Sequence, residues 1–180
     1  MSNFKLITFL VPAFALFLVV VLYISMLKMS INKAALKRFI LIVTLLAYLI
    51  NFAWEIMQSP LYRGFYEKPH LAVCALASVA DAIMVVLLYL CFALLYRGFF
   101  WSPFFKMQRI ILLILVGGTG AVFSEIRHVS AGNWAYAESM PIIPIVNVGL
   151  LPVLQFMFLP LIIYYLSFYF MKYGDKRDKT

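Results

Sequence analysis

Asn51, Glu55 and Gln58 stand at i, i+4 and i+7 in the run N-F-A-W-E-I-M-Q-S-P-L-Y (51–62), which closes a long apolar stretch. On a helix that spacing puts an amide, a carboxyl and a second amide on one stripe. A carboxylate in a membrane-type segment is costly against lipid, so it turns toward protein or a water-filled cavity. Trp54 sits beside Glu55, and Pro60 ends or kinks the helix. Asp81 follows Ser78 by three residues, on the same face of an apolar run that holds no Lys or Arg. Burial without a cation favours its protonated form, which suits a proton donor or relay. Gly117, Ala121, Glu125 and His128 recur at i, i+4, i+8 and i+11, a small-residue stripe that ends in two ionisable groups. Gln155 lies between Pro152 and Pro160, and Trp134 and Tyr136 lie in a polar connection.

The chemistry open to such residues is proton transfer. Protonating an alkene or epoxide needs a carboxylic acid kept neutral in a dry site, then aromatic faces for the developing cation. Asp81 or Glu55 would be the acid and the other its relay, with Glu125 as a further acid–base group. Trp54, Trp134 and Tyr136 would supply the faces, and Asn51, Gln58, His128 and Gln155 would bind substrate. Each residue also has a structural reading. Glu55 can bond a tryptophan or a helix end, Asp81 a neighbouring helix, and Gln155 the carbonyls freed by proline. Glu125 and His128 can form a solvated rim pair beside Arg127. Trp134 and Tyr136 can anchor at the headgroups or fold back as a lid.

The elements that must position these residues are membrane helices. The 180 residues are 66% hydrophobic and 12% charged, where a soluble domain is about half apolar and a quarter charged. Apolar runs predict five helices, about 6–27, 39–59, 71–96, 107–126 and 146–171, in one all-α transmembrane domain. The first run spans ~33 Å as a helix and is longer than a signal-peptide core, so it reads as retained. Phe99, Phe100 and Trp101 read as an interfacial aromatic belt, and Pro152 and Pro160 both fall inside the fifth predicted helix. Cys74 and Cys91 read as small buried hydrophobes, in spacing that fits neither zinc nor a redox pair.

Eleven Lys and Arg fall on one side: Lys28, Lys33, Lys37, Arg38, Arg97, Lys106, Arg109, Lys172, Lys176, Arg177 and Lys179. Only Lys5, Arg63, Lys68 and Arg127 fall on the other. The positive-inside rule then sets the amino terminus outside and the carboxyl terminus in the cytoplasm. That direction brings the polar residues of four helices into the outer half, so Glu55, Asp81, Glu125 and Gln155 are expected to share one outward-opening cavity. Charge at mid-bilayer costs ~2.5–3.5 kcal/mol on insertion scales, which argues against any of them facing lipid.

The net charge of +8 is spread between apolar runs and forms no patch for nucleic acid. His70 and His128 read as residues of outer loops without ligand spacing, so no metal is expected. Gly117-Gly118-Thr119-Gly120 reads as a helix-packing notch, not a phosphate cradle, and no cofactor motif or nucleophile motif stands out.

The runs N-F-A-W-E-I-M-Q-S-P-L-Y (51–62), N-W-A-Y-A-E-S-M-P (133–141) and G-L-L-P-V-L-Q (149–155), with A-D-A-I at Asp81 and F-S-E at Glu125, resemble a family of small bacterial multi-pass membrane proteins. That family carries no assigned activity, and the resemblance spans roughly residues 45 to 160. The N-x-x-W-E of Asn51, Trp54 and Glu55 is also similar to the segment with an essential acid in integral membrane terpene cyclases and the sterol-isomerase-like proteins. This resemblance implies carboxylate acid–base chemistry in a membrane cavity, for Glu55 alone; Asp81 has no counterpart, and this chain is shorter than those cyclases.

The expectation is a cofactor-independent isomerase or cyclase of a bacterial inner membrane. Its partners are membrane lipid and an isoprenoid-like or other lipid-soluble substrate. A proton-linked small-solute carrier, a ligand-binding membrane protein, and a subunit or assembly factor of a membrane complex are the alternatives.

Overall fold

The computed structural model describes residues 10–64, 70–101 and 106–177. Five helices make up nearly all of it: α1 (Leu10–Met29), α2 (Lys33–Gln58), α3 (His70–Leu95), α4 (Met107–Ser130) and α5 (Leu150–Arg177). Each is long and apolar enough to cross a membrane. A 3₁₀ turn, Ser59–Leu61, follows α2, and two short strands, β1 (Ile142–Ile143) and β2 (Val148–Gly149), precede α5. Positions 6–9 of the first predicted span lie outside the described residues, as do Lys5, Lys68, Pro69, Pro103 and Lys179.

The helices pack in the order α1–α3–α2–α5–α4, so α2 sits at the centre and α1 at one edge. On α2 the buried residues are Leu36, Phe39, Ile40, Val43, Ala47, Asn51 and Gln58. They recur at three- and four-residue steps, one stripe of a 3.6-residue helix that turns polar only at its end. On α1 only Ala15 and Met26 are buried, and large apolar side chains such as Phe14 and Phe17 are open.

Several boundaries differ from the sequence reading. The basic loop expected at 28–38 shrinks to three residues, because Asn32 caps α2 by accepting from the Ala35 amide at 2.9 Å. Lys33, Lys37 and Arg38 therefore ride on the first turns of the helix. Helix α4 runs on to Ser130, so His128 lies in its last turn; His70 opens α3, and neither is a loop residue. Helix α5 starts later than expected, because β1 and β2 pair antiparallel ahead of it. Pro152 thus falls in the first turn, where no intrahelical donor is needed, and only Pro160 interrupts the helix.

Pro160 has no N–H for the Phe156 carbonyl one turn earlier. That carbonyl faces Gly117 so closely that a Cβ there would come within 2.1 Å of the oxygen. The predicted glycine notch is therefore real at Gly117 and Gly118, both buried against α5, while Gly120 faces open space.

At the far end of the bundle Trp101 is only 4% exposed, not a member of an interfacial belt. Its indole donates to the Tyr89 carbonyl at 3.1 Å and packs on the Tyr89, Phe92 and Tyr164 rings. A buried indole N–H left without an acceptor would be costly, and the Tyr89 carbonyl supplies one, so the ring can turn inward. Phe100 is exposed, as a belt residue would be. Cys74 is buried as expected, but Cys91 is exposed on the apolar outer surface of α3.

Candidate functional site

Residues of α2, α3 and α5 meet at the end of the bundle where α2 stops. The stripe of Asn51, Glu55 and Gln58 turns inward, with Asn51 and Gln58 buried and Glu55 half-buried. Asn51 donates to the Ala47 carbonyl at 2.8 Å, which fixes its amide and leaves Oδ1 pointing away as an acceptor. Gln58 takes the Trp54 indole N–H on its carbonyl oxygen at 3.1 Å and donates its amide to Glu55 Oε1. Trp54 is thus half-buried and held by the same stripe.

Gln155 of α5, 2% exposed, is the hub. Its amide donates to Asn51 Oδ1 and to Asp81 Oδ2, both at 2.9 Å, with a longer 3.4 Å approach to Glu55 Oε1. Its carbonyl oxygen accepts from Gln58 Nε2 at 3.1 Å. One carboxamide thereby ties three helices together with both its donors and its acceptor used.

The carboxyls of Glu55 and Asp81 are neighbours, since the same Gln155 amide nitrogen meets both. Two carboxyls brought this close disfavour double ionisation. Ser78, one turn before Asp81, is buried and donates to the Cys74 carbonyl at 2.6 Å. The face it shares with Asp81 therefore points into the bundle, and Asp81 does not face lipid.

Glu125, His128, Trp134 and Tyr136 form a second cluster beside the first. Glu125 is buried, and its Oε2 accepts from the Tyr136 hydroxyl and from the Trp134 indole, the latter at 3.2 Å. His128 stacks on Trp134 with ring centroids 4.2 Å apart, and its Nδ1 meets the Asn133 amide at 2.8 Å. The solvated-rim reading of Glu125 therefore fails: the connection folds back over it. That connection is fastened to the end of α2 by backbone bonds from Arg63 N to Ala135 O and from Ala137 N to Leu61 O, each 2.9 Å. Tyr62 and Tyr136 are bridge partners between those bonds. Gly149 leaves room for the fold, since a Cβ there would lie 3.0 Å from the Tyr136 ring.

The four residues expected in one cavity thus divide. Glu55, Asp81 and Gln155 meet directly, with no apolar layer between them. Glu125 belongs to the covering layer, near enough for its charge to act on both Glu55 and Asp81. Sequence reasoning missed Tyr62, whose ring packs on Tyr136 at 5.7 Å and edge-on to Trp134 at 6.3 Å. It is the last residue of the N-F-A-W-E run, and its place just after Pro60 was the available signal. Burial, and then the charges of Glu125 and Glu55, push the Tyr62 phenol far above its usual range. The Tyr136 phenol is pushed the same way, by burial and by its hydrogen bond to Glu125.

Comparison with protein-family models, curated proteins and solved structures yields no match for this chain.

Proposed function

We propose that the chain is an integral membrane protein, amino terminus outside and carboxyl terminus cytoplasmic, that carries out acid–base chemistry on a lipid-soluble substrate. The observation that supports this most is the pair of acids, Glu55 and Asp81, brought together on one amide of Gln155. Structural carboxyls in a bundle are usually satisfied one at a time. With one member protonated, such a pair gives a donor and an acceptor side by side, the arrangement that proton transfer needs.

In the proposed reaction the protonated member gives its proton to one carbon of an alkene, and a cation forms on the neighbouring carbon. The ring faces of Trp54, Tyr62, Trp134 and Tyr136 stabilise it. Loss of a different proton to the carboxylate member yields an isomer, or a ring when an internal alkene attacks first. Protons balance over the cycle, and an isoprenoid-like chain fits both outcomes. The membrane is a bacterial cytoplasmic one in this reading, and the positive-inside bias supports the orientation.

The test is the lipid profile of cells that lack the protein, complemented with the wild type, Asp81→Asn or Glu55→Gln. A lipid that accumulates in the deletion, clears with the wild type and persists with either variant supports the enzyme. Unchanged lipids, with solute-dependent pH changes in reconstituted vesicles, would replace it with a proton-linked carrier.

A further inference from the structure

Helix α3 packs on α2 and α1, and α4 packs on α5, but α3 hardly touches either α4 or α5. Among the described residues, two side chains of α5 bridge that gap by hydrogen bonds: Gln155 to Asp81 Oδ2 at 2.9 Å, and the Tyr164 hydroxyl to the Val85 carbonyl at 2.8 Å. Asp81 stands at the edge of the buried face of α3. Ser78 and Val85, at i−3 and i+4, are buried on one flank of it. Ala77 and Met84, at i−4 and i+3, lie on the other flank, where Ala77 is half-buried and Met84 is 38% exposed. Asp81 and Glu55 are themselves only half-buried, so the gap is open beside them. Asp81 lies ~16 Å along α3 from His70 at 1.5 Å per residue, which is near mid-bilayer in the membrane reading. Ala72, Ala75, Ala77, Ala80 and Ala82 keep the first half of α3 thin there.

We infer that the gap between α3 and the α4–α5 pair is a side entrance from the bilayer, through which an uncharged lipid reaches Glu55 and Asp81. This rests on the acid–base reading and names its substrate class. The Asp81 carboxyl points across the gap at Gln155, and its open flank lies along the gap. An ionisable group at that depth marks a pathway more often than plain lipid contact. The walls suit an apolar chain: Asp81 is the only Asp, Glu, Lys or Arg of α3, and no such residue stands between Glu138 and Lys172. The polar end of the lipid must be neutral. Glu55 and Asp81 stand together with Glu125 in the covering layer, and among the described residues none of the three is ion-paired with Lys or Arg. A phosphate would add negative charge beside these acids with no cation to offset it. A cationic amine would hold both acids ionised, which removes the proton donor that the reaction needs. A hydroxyl or an epoxide oxygen can hydrogen-bond a carboxyl without either penalty, and a bare alkene needs no such partner.

The test compares two carbodiimides of the same chemistry on protein in lipid nanodiscs at neutral pH. Each adds a protonated carboxyl across a C=N bond: the carboxyl oxygen bonds to carbon and its proton goes to nitrogen. The adduct rearranges to a stable acylurea that peptide mass spectrometry locates. Dicyclohexylcarbodiimide is uncharged and partitions into lipid, whereas the dimethylaminopropyl reagent is a cation in water. The entrance predicts that the first labels Asp81 or Glu55. The second should do so at least about 50-fold more slowly, the scale of carrying one charge to mid-bilayer. Ala77→Phe and Met84→Trp, which crowd the open flank, should each slow the first reagent severalfold, while Leu45→Trp on the exposed face of α2 should not. Labelling by the charged reagent at an equal or higher rate, or labelling that ignores both crowding variants, overturns the entrance. So does absence of labelling by either reagent in protein whose infrared spectrum carries a carboxylic C=O band that Asp81→Asn removes; the acid pair then stands without it. Absence of that band in wild-type protein overturns both.

Discussion

Replacing Gln155 by Leu would remove the hub while nearly conserving volume. Its three shorter hydrogen bonds disappear, those to Asn51 Oδ1 and Asp81 Oδ2 at 2.9 Å and the one from Gln58 Nε2 at 3.1 Å, along with the weak 3.4 Å approach to Glu55. If each orphaned group paid a full desolvation penalty of ~1–3 kcal/mol, the loss would reach ~9 kcal/mol. Two facts lower that figure. Side-chain hydrogen bonds between membrane helices measure ~0.6 kcal/mol on average and ~1.7 at most, which gives ~2–5 for three. Asp81 is also only half-buried, and Gln58 keeps its bond to Glu55. We expect a loss of about 3 kcal/mol, read from detergent-micelle unfolding by SDS and followed by circular dichroism. A double-mutant cycle of Gln155→Leu with Asp81→Leu should return a coupling of about 0.6 kcal/mol or more. A loss under about 1 kcal/mol with no coupling would refute the hub, because the three bonds would then be geometric coincidence.

Gly117→Ala should destabilise by about 1–3 kcal/mol in the same assay, since the new methyl meets the Phe156 carbonyl, a backbone atom that cannot rotate away. Gly120→Ala, which meets open space, should be neutral or slightly stabilising. Glu125→Ala takes away the acceptor of Tyr136 and Trp134, so limited proteolysis should cut the 131–149 connection faster while the helices stay intact by circular dichroism. Stability should also fall as pH rises past about 10, where the unfolded phenols ionise and the folded Tyr62 and Tyr136 still hold their protons. The unfolded state then binds fewer protons, so alkali favours it, and below that pH the contribution is intact. Tyr62→Phe and Tyr136→Phe should each make the decline shallower in pH-dependent unfolding.

The helices were legible because apolar length and periodicity speak directly through burial. Asn51, Glu55 and Gln58 were legible as a stripe for the same reason, and the stripe does face the core. The pairing of Gln155 with Asp81 was only inferable from helix direction, because nothing local to either residue names the other. The boundaries failed where a cap or a tertiary pairing overrode hydropathy. Asn32 started α2 among basic residues, and the β1–β2 hairpin delayed α5 although its sequence is as apolar as a helix. Trp101 misled because an aromatic in a turn carries the same local signature at a headgroup as in a core, and only the Tyr89 carbonyl decides between them. Tyr62 and Tyr136 escaped pairing since an isolated bridge between distant loops leaves no periodic trace.

The proposed function requires Glu55 and Asp81 to hold one proton between them. Infrared spectra of the protein in lipid nanodiscs at neutral pH measure this directly. The account predicts one carboxylic C=O band that vanishes in Asp81→Asn, shifts in Glu55→Gln, and moves when Gln155→Leu removes the amide at 2.9 Å. A spectrum in which both groups are ionised, or in which the band ignores all three substitutions, would contradict it.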